Sequence, residues 1–368
     1  MGCGNILAMN NKKLRGAIIG YGFIAENGHV PAYLKRAQES GDIEIIAVAD
    51  ICPVRRKLGQ EALPQAKTYT DYAALLDAEA QHLDFVDIAT PPCDHARVAH
   101  AALSAGLQVL CEKPLTPTVQ EAHSLLAHAR NAHRVIFPCH NYKHAPIIGA
   151  IRDLIQSGRI GKVRSIKFET YRNTHAKGVR EWNSHWRRES RYSGGGIAMD
   201  HGSHIFYLAF DWLGSYPTSV SATMSNLDSG KYDTEDDFTA VLSFPTGSAY
   251  VHLTWTAGVR KVIYTVEGEK GAITMEDDEL QIQTLNGAQP DGAAHTIVQP
   301  HLEKKTISSH WGDASHAGWF NSLFSEFRKA IETDDFAGKD AQEAALCVEL
   351  INTAYRSAQN GSRELPLD

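Results

Sequence analysis

The first part of the chain alternates short apolar runs with longer amphipathic stretches, and this alternation strongly constrains the fold. Runs rich in β-branched residues predict strands, whereas apolar residues three and four positions apart, as in 95–105 and 119–131, predict helices that cover a sheet. The predicted strands are 16–19, 43–49, 85–89, 108–110 and 135–137, with a weaker candidate at 67–69. Repeated βα units of this kind predict a doubly wound parallel sheet.

The pattern changes after Asn141. A predicted helix over 147–157 is followed by a strand over 163–170, and further short strands then follow at close intervals. These strands are 219–224, 237–244, 248–256, 262–266, 272–275 and 280–283. Strands without intervening helices indicate a mainly antiparallel sheet. Two helices, 317–333 and 341–359, end the chain, and 286–294 is predicted as a flexible loop.

These patterns predict an α/β protein of two domains. Residues 1–140 form a nucleotide-binding domain of the Rossmann type, and residues 141–368 form an α+β domain with an open, mainly antiparallel sheet. The C-terminal helices can pack back on the first domain. A chain of 368 residues with 43% hydrophobic content is long enough to bury the cores of both domains.

Charge and cysteine usage exclude several classes of partner. The net charge is −7 and basic residues form no long runs, which argues against a nucleic-acid or membrane partner and favours a small molecule. The six cysteines form no CxxC pair, so we expect free thiols in a reducing compartment. No apolar stretch reaches the roughly 18 residues of a membrane span. Residues 1–13 lack the apolar core of a signal peptide, and we therefore expect a cytoplasmic protein.

Residues 20–25, with the sequence GYGFIA, follow the first predicted strand and open a helical stretch. They match the GxGxxA form of the dinucleotide-binding fingerprint in its proper context. Gly20 permits the tight turn, and Gly22 lets the backbone approach a pyrophosphate at the N-terminus of the next helix. The sequence therefore predicts a dinucleotide cofactor.

Asp50 ends the second predicted strand, where a carboxylate accepts hydrogen bonds from the adenosine ribose and repels a 2′-phosphate. It therefore favours NAD over NADP. Arg55 and Arg56 leave NADP open, because either guanidinium could turn toward a phosphate. The interval from Gly20 to Asp50 exceeds the usual ~20 residues, which predicts a longer first helix or a loop around Ser40.

Two further segments carry a family resemblance. The sequence DFVDIATPP at 84–92 is followed by His95, and VLCEKPL occupies 109–115. With Asn141, the glycine run 194–196 and the DHGSH sequence at 200–204, these segments resemble the Gfo/Idh/MocA oxidoreductase family, which includes glucose-fructose oxidoreductase and inositol dehydrogenase. The resemblance covers nearly the whole chain, and the EKP sequence at 112–114 is its most specific element.

The resemblance implies hydride transfer between NAD(P) and a secondary alcohol or ketone of a sugar, cyclitol or sugar derivative. It also implies a homodimer or homotetramer formed through the sheet of the second domain. The expected cofactor-binding residues are Gly20, Gly22, Phe23, Ile24, Asp50, Arg55, Thr90, Pro91, His95, Glu112, Lys113 and Asn141.

Three residues are predicted to be catalytic. Lys113 follows a strand at the carboxyl edge of the sheet, where its ammonium group can stabilise a developing alkoxide. Asp200 and His204 are four residues apart, so on a helix they share one face and the carboxylate can orient the imidazole. By resemblance to inositol dehydrogenase, His204 carries the proton. The alternative is that Asp200 caps a helix and His204 belongs to the core; His201 is expected to face elsewhere.

The predicted substrate contacts combine aromatic and hydrogen-bonding groups, which suit a polyhydroxylated ring. They are Lys113, Tyr142, His144, Trp186, Arg187, Asp200 and His204. The pair Arg187 and Arg188 would also suit a phosphate. No metal site is predicted, since of the 18 histidines only His140 and His144 have a ligand-like spacing.

Two other functions remain open at this point. Some relatives hold NAD tightly and use transient oxidation to drive elimination or glycoside cleavage. A regulator that has lost the chemistry is a third possibility, although Lys113, Asp200 and His204 are all retained here. The sequence does not identify the substrate.

Overall fold

The computed structural model describes residues 13–227, 230–284, 301–313 and 315–367. The first domain contains a six-stranded sheet with the order β3-β2-β1-β4-β5-β6, and every neighbouring pair in it is parallel. Its strands are β1 (Leu14–Ile19), β2 (Ile43–Ala49), β3 (Lys67–Tyr69), β4 (Phe85–Ile88), β5 (Gln108–Cys111) and β6 (Ile136–Pro138). This is the strand order of dinucleotide-binding folds, so the predicted Rossmann sheet is confirmed.

Five helices cover this sheet, and a π-helical turn, Ala25–His29, precedes the first of them. They are α1 (Val30–Glu39), α2 (Pro53–Ala62), α3 (Tyr72–Glu79), α4 (Pro92–Ser104) and α5 (Val119–Ala132). Asp71 and Thr118 cap α3 and α5 with their side-chain oxygens. The π-helical turn, α1 and a turn at Gly41, where φ is +64°, account for the long interval between Gly20 and Asp50.

The second domain is built on a nine-stranded sheet with the order β14-β13-β12-β11-β7-β10-β9-β8-β15. Only β7 and β10 pair in parallel; the other described pairs are antiparallel, as predicted. The strands are β7 (Val163–Tyr171), β8 (Ser219–Ser225), β9 (Asp237–Phe244), β10 (Gly247–Thr254), β11 (Lys261–Gly268), β12 (Gly271–Glu276), β13 (Glu279–Thr284), β14 (His301–Thr306) and β15 (Leu365–Pro366). The predicted loop at 286–294 lies outside the described residues.

The helices of the second half are α6 (Pro146–Gln156), α7 (Ser190–Ser193), α8 (Ser203–Leu213), α9 (Ala317–Glu332) and α10 (Lys339–Gln359). Helix α9 inserts Phe320, Phe324 and Phe327 into the core of the first domain, where the Phe324 ring stacks on Tyr33 at 4.1 Å. Helix α10 packs against both α5 and β8. The two C-terminal helices thus contact both domains. They lie beside the cleft between the sheet of the first domain and the sheet of the second.

The cysteines of the described residues are free thiols: Cys52, Cys93, Cys111, Cys139 and Cys347. Cys3 lies outside the described residues. A search of the described helices for one long and apolar enough to cross a lipid bilayer returned none.

Candidate active site

A cleft of about 750 Å³ opens at the carboxyl ends of β1, β4 and β5 and is closed on its other side by the second domain. The switch in strand order between β1 and β4 creates a crevice at this edge, where open α/β sheets bind ligands. The volume lies within the range of small-molecule sites. Both domains supply its walls, so a ligand in the cleft contacts groups from both.

The glycine turn after β1 forms the floor of the cleft. Gly20 has φ of +94°, and a Cβ there would lie 2.8 Å from the backbone of Ala89 and Thr90, so this position requires glycine. A Cβ on Gly22 would meet nothing within 4 Å, which leaves open space above the turn. Phe23 and Ile24 line the same space. The turn therefore fits a pyrophosphate at close range.

Asp50 lies at the cleft wall, where Oδ2 accepts a hydrogen bond from the Tyr21 backbone N–H (2.6 Å) and Oδ1 accepts one from Cys52 (2.7 Å). Each oxygen keeps a second lone pair for a ribose hydroxyl. Burial raises the pKa of Asp50, which these donors and Arg55 partly offset.

Arg55 also lines the cleft, but its guanidinium is engaged by the protein. Nε donates to the Tyr21 carbonyl (2.7 Å) and Nη2 lies 2.7 Å from Glu26 Oε2. Arg56 donates to the carbonyl of Asp50 at 2.8 Å. Both arginines thus brace the loops around the glycine turn in this structure, and the carboxylate of Asp50 remains the charged group beside the expected ribose position.

At the inner end of the dinucleotide site, Thr90 Oγ1 and Asn141 Oδ1 are buried and have no hydrogen-bond partner among the described residues. Both residues line the cleft, as does Pro91. Buried polar atoms are rarely left without partners, so the hydroxyl and amide groups of a nicotinamide riboside fit this position.

His95 is not among the residues that line the cleft, and its contact with the cofactor stays a prediction. Its ring is fully buried, and its nitrogens lie 2.8 Å from the carbonyl of Thr90 and 2.9 Å from that of Pro114. His95 therefore connects the loops that follow β4 and β5, and supports Thr90 and Lys113.

A buried network lies behind Glu112. His29 Nδ1 donates to Asp87 Oδ2 at 2.7 Å and Nε2 donates to Glu112 Oε1 at 3.0 Å. Burial alone would lower the pKa of His29, but the two carboxylates outweigh it and raise the pKa to about 10. Glu112 Oε2 accepts from the backbone N–H of Lys113 (3.0 Å), so the network fixes the strand end that carries Lys113.

In the described part of the chain, one cluster consists of side chains of the kinds that bind metal ions. It belongs to the same network and comprises His29, Asp87 and Cys139. All three side chains are buried, and the imidazole is already hydrogen-bonded to two carboxylates. These hydrogen bonds account for the arrangement of the side chains in this cluster.

Lys113 and Asp200 meet across the cleft from the two domains. Lys113 Nζ donates to both the backbone carbonyl and Oδ1 of Asp200 at 2.8 Å. Burial alone would raise the pKa of Asp200, but the charges of Lys113 and Arg187 outweigh it and hold this pKa well below its usual range. An ammonium group has three donors, so one remains for a substrate oxygen.

Asp200 and His204 both line the cleft, but among the described residues no hydrogen bond joins their side chains. Asp200 lies in a π-helical turn, Ala198–Gly202, and His204 lies in the first turn of α8, which follows it. His204 Nδ1 instead lies 3.0 Å from the Tyr207 hydroxyl, and its ring stacks on Tyr142 at 3.8 Å. His201, which was expected to face elsewhere, places Nδ1 3.3 Å from Asp200 Oδ2.

His204 lines the cleft close to Lys113, and its surroundings favour the neutral imidazole. Burial and the nearby charge of Lys113 hold the pKa of His204 well below its ordinary value. In the tautomer in which Nδ1–H donates to the Tyr207 hydroxyl, the neutral imidazole presents Nε2 as a proton acceptor. The arrangement can therefore accept the proton of an alcohol held by Lys113.

The glycine run before the π-helical turn allows close packing. A Cβ on Gly195 would lie 2.0 Å from the Tyr355 hydroxyl, and one on Gly196 would lie 1.9 Å from the Glu235 carbonyl. The Glu235 carboxylate accepts from the backbone N–H groups of Gly196 and Ala198, both at 2.9 Å. These contacts fix the segment that presents Asp200.

Of the remaining predicted substrate contacts, Tyr142, Trp186 and Arg187 line the cleft, and Arg187 stacks over the Trp186 ring at 4.2 Å. His144 is not among the residues that line it, so its role as a substrate contact stays a prediction. His144 lies in a short 3₁₀ helix, Asn141–His144, with its ring near Lys143 and away from the cleft. Burial and the charge of Lys143 lower its pKa to about 4.

Comparison with known proteins agrees with this geometry. Residues 14–140 match the model of an oxidoreductase family NAD-binding Rossmann fold, and residues 152–367 match the C-terminal alpha/beta domain of the same family. The chain belongs to the Gfo/Idh/MocA oxidoreductase family. It is therefore an oxidoreductase with an NAD-binding domain, as the sequence predicted.

Two curated proteins illustrate the similarity within the Gfo/Idh/MocA family. The uncharacterised oxidoreductase YdgJ of Escherichia coli K12 is 25% identical over 94% of this chain and 97% of its own length. D-apiose dehydrogenase of Paraburkholderia graminis is 27% identical over 77% of this chain and 73% of its own. Among solved structures, levoglucosan dehydrogenase with NADH and levoglucosan superposes with a TM-score of 0.81 at 20% identity, covering 97% of this chain and all of that one.

In this member of the Gfo/Idh/MocA family, the cleft also contains basic residues that were not singled out from the sequence. Arg172, His175, Arg260 and His316 line its substrate end. Arg172 directly follows β7 and Arg260 directly precedes β11, and these strands are neighbours in the sheet. Charged residues at paired strand ends are a signal that sequence reasoning can use once the pairing is known.

Proposed function

We propose that this protein is an NAD-dependent dehydrogenase that transfers a hydride between the nicotinamide ring and a secondary alcohol carbon of a carbohydrate or cyclitol. One observation carries the proposal. Lys113 from the first domain and Asp200 and His204 from the second line a single cleft with the glycine turn. An ammonium donor and a neutral imidazole beside a dinucleotide site are the groups that alcohol oxidation requires.

The side chains divide the reaction between them. The free donor of Lys113 holds the alcohol oxygen and stabilises the negative charge that develops on it. His204 Nε2 takes the hydroxyl proton, while Tyr207 accepts a hydrogen bond from Nδ1–H and fixes the ring. Bound NAD supplies the hydride acceptor, so that the alcohol carbon becomes a carbonyl. In the reverse direction protonated His204 returns the proton.

The carbohydrate assignment is supported by the chemistry of the cleft and by its relatives. Aromatic rings of Tyr142 and Trp186 stand beside hydrogen-bonding groups, which suits the apolar face and hydroxyl rim of a sugar. The dehydrogenases named above are named for apiose and levoglucosan.

We also expect a cytoplasmic homo-oligomer that associates through the open face of the nine-stranded sheet, which light scattering would test.

The decisive experiment follows the hydride. Carbohydrates and cyclitols deuterated at each secondary carbon are incubated with the protein and NAD, and the reduced cofactor is analysed by mass spectrometry. We expect deuterium in NADH from one carbon position and an equal amount of ketone. Protein that carries stoichiometric NAD and turns over substrate without net NADH would contradict the proposal and support the tight-NAD chemistry; NAD binding without any turnover would support a regulator.

A further inference from the structure

Two guanidinium groups at the substrate end of the cleft have no carboxylate partner within ion-pair distance among the described residues. These are Arg172 and Arg260, and both line the cleft. Arg172 Nη1 donates to the carbonyls of Tyr171 (3.0 Å) and Lys261 (3.4 Å), and Arg260 Nη2 donates to that of Trp311 (3.0 Å). Each guanidinium is thus anchored through one nitrogen, and its remaining donors are unused by described residues.

The pairing of the strands places these two arginines together. In the antiparallel register of β7 and β11, Tyr171 lies opposite Lys261, so Arg172 and Arg260 leave the sheet at the same end. Burial lowers the pKa of Arg260, and the charge of Arg172 adds to this effect. Two adjacent like charges are unfavourable unless an anion binds between them.

The other residues at this end of the cleft supply too little negative charge to compensate for the two guanidinium groups. Among the described residues that line this end, Asp200 is the carboxylate that forms ion pairs, and it is already engaged by Lys113 and Arg187. Asp277 lies near Arg260, but its Oδ1 accepts from the Val262 backbone N–H at 3.1 Å. The substrate end therefore keeps an excess of positive charge that NAD binding at the glycine turn does not neutralise.

We propose that Arg172 and Arg260 form an anion subsite and that the substrate is a polyhydroxylated compound bearing a carboxylate or phosphate group. This inference rests on the proposed function, because it identifies the substrate class of the same site. Arginine presents paired N–H donors that match the oxygens of both groups. Tyr142 lines the same cleft; burial raises its pKa, and the charges of Arg172, Asp200 and Arg260 also act on it, so its ring lies near all three. The anionic group would thus anchor the substrate while its hydroxyl reaches Lys113 and His204.

The first test compares substrates that differ only in charge. NADH formation is measured with glucose, glucuronate and glucose 6-phosphate, and with the matching galactose series. We expect kcat/KM for an anionic member to exceed that of its neutral partner by about 10- to 100-fold, the effect of a hydrogen bond to a charged group. Preference for the uronate identifies a carboxylate and preference for the sugar phosphate identifies a phosphate. A neutral sugar that reacts best would overturn the inference and leave the proposed dehydrogenase intact.

The second test removes the subsite. In the variant Arg172→Gln/Arg260→Gln we expect the ratio of kcat/KM for the anionic sugar to kcat/KM for its neutral partner to fall to about one. Arg180→Gln is the matched control, because that side chain is 92% exposed and does not line the cleft. A double variant that retains the preference would exclude the subsite.

Binding distinguishes failure of the inference from failure of the proposed function. Glucuronate and glucose are titrated into the NADH complex, and the protein's thermal transition is followed. If glucuronate binds more tightly than glucose, and the double variant loses this difference, the anion subsite stands even when no substrate is turned over. Equal or absent binding of the two, together with no charge preference in turnover, would overturn it.

Discussion

Replacement of Lys113 by alanine tests the centre of the proposed mechanism. In the structure Nζ donates twice to Asp200, which leaves a single donor for the substrate oxygen. Loss of one donor that stabilises a developing oxyanion in an enclosed site costs about 2.7 to 4 kcal/mol. We therefore expect kcat to fall about 10²- to 10³-fold, whereas the affinity for NADH should change little because the glycine turn and Asp50 are untouched.

The assay measures NADH formation with the best substrate from the hydride-transfer experiment, and NADH affinity by fluorescence. Lys143→Ala is the matched control, because Lys143 is also an enclosed lysine whose Nζ lies 2.7 Å from two carboxylates, Asp340 and Glu343, but outside the cleft. We expect this control to lose stability and keep kcat. Added methylammonium should restore part of the activity of Lys113→Ala. A kcat within threefold of the wild type would refute the role of Lys113.

Three further predictions concern the imidazoles. Because the pKa of His204 is held well below its ordinary value, alcohol oxidation should lose activity only well below pH ~6.5; a pH profile with its acid midpoint at or above that value would contradict a neutral base. Tyr207→Phe should lower kcat about tenfold by releasing Nδ1, with NADH affinity unchanged as the control measurement. His29→Phe should lower the free energy of unfolding by about 3–5 kcal/mol, since it leaves two buried carboxylates without their cation. The folded-state pKa of His29 is raised to about 10, so its stabilising contribution is full below pH ~6.5 and declines toward pH 10. Urea unfolding of the wild type and the variant at neutral and alkaline pH measures this contribution. A difference in unfolding free energy that does not change with pH would contradict the charge assignment.

Much of the fold could be predicted because periodicity reflects burial. The central strands of the first sheet are covered on both faces and therefore contain continuous apolar runs, as in residues 45–49 of β2. Helix α2 escaped prediction because its segment is rich in charged residues and carries few apolar positions. Strand β14 escaped because it is an edge strand with mostly exposed side chains, so that no alternation marks it.

The cofactor half of the site could be predicted for a similar reason. The glycine turn and Asp50 act through local geometry, which a motif records directly. The hydrogen bond between Lys113 and Asp200 joins residues 87 positions apart on different domains, and no local pattern records it. Spacing alone did not reveal the hydrogen-bond partner of His204, because Asp200 lies four residues before it and Tyr207 three residues after it, and both spacings fit one face of a helix. The buried Asp87 in a central strand did carry a signal, since a carboxylate there requires a partner.

The charges around the reacting position explain why its three groups differ in protonation. Positive charge from Lys113 keeps Asp200 ionised and, together with burial, keeps His204 neutral. A single lysine thus influences the protonation of both neighbours, and in the proposed mechanism it also holds the substrate oxygen. Because Lys113 is fixed by Glu112 on one domain and His204 by Tyr207 on the other, this balance exists only when the domains are held together. The C-terminal helices α9 and α10, which pack against both domains, are therefore as necessary to the chemistry as the residues that line the cleft.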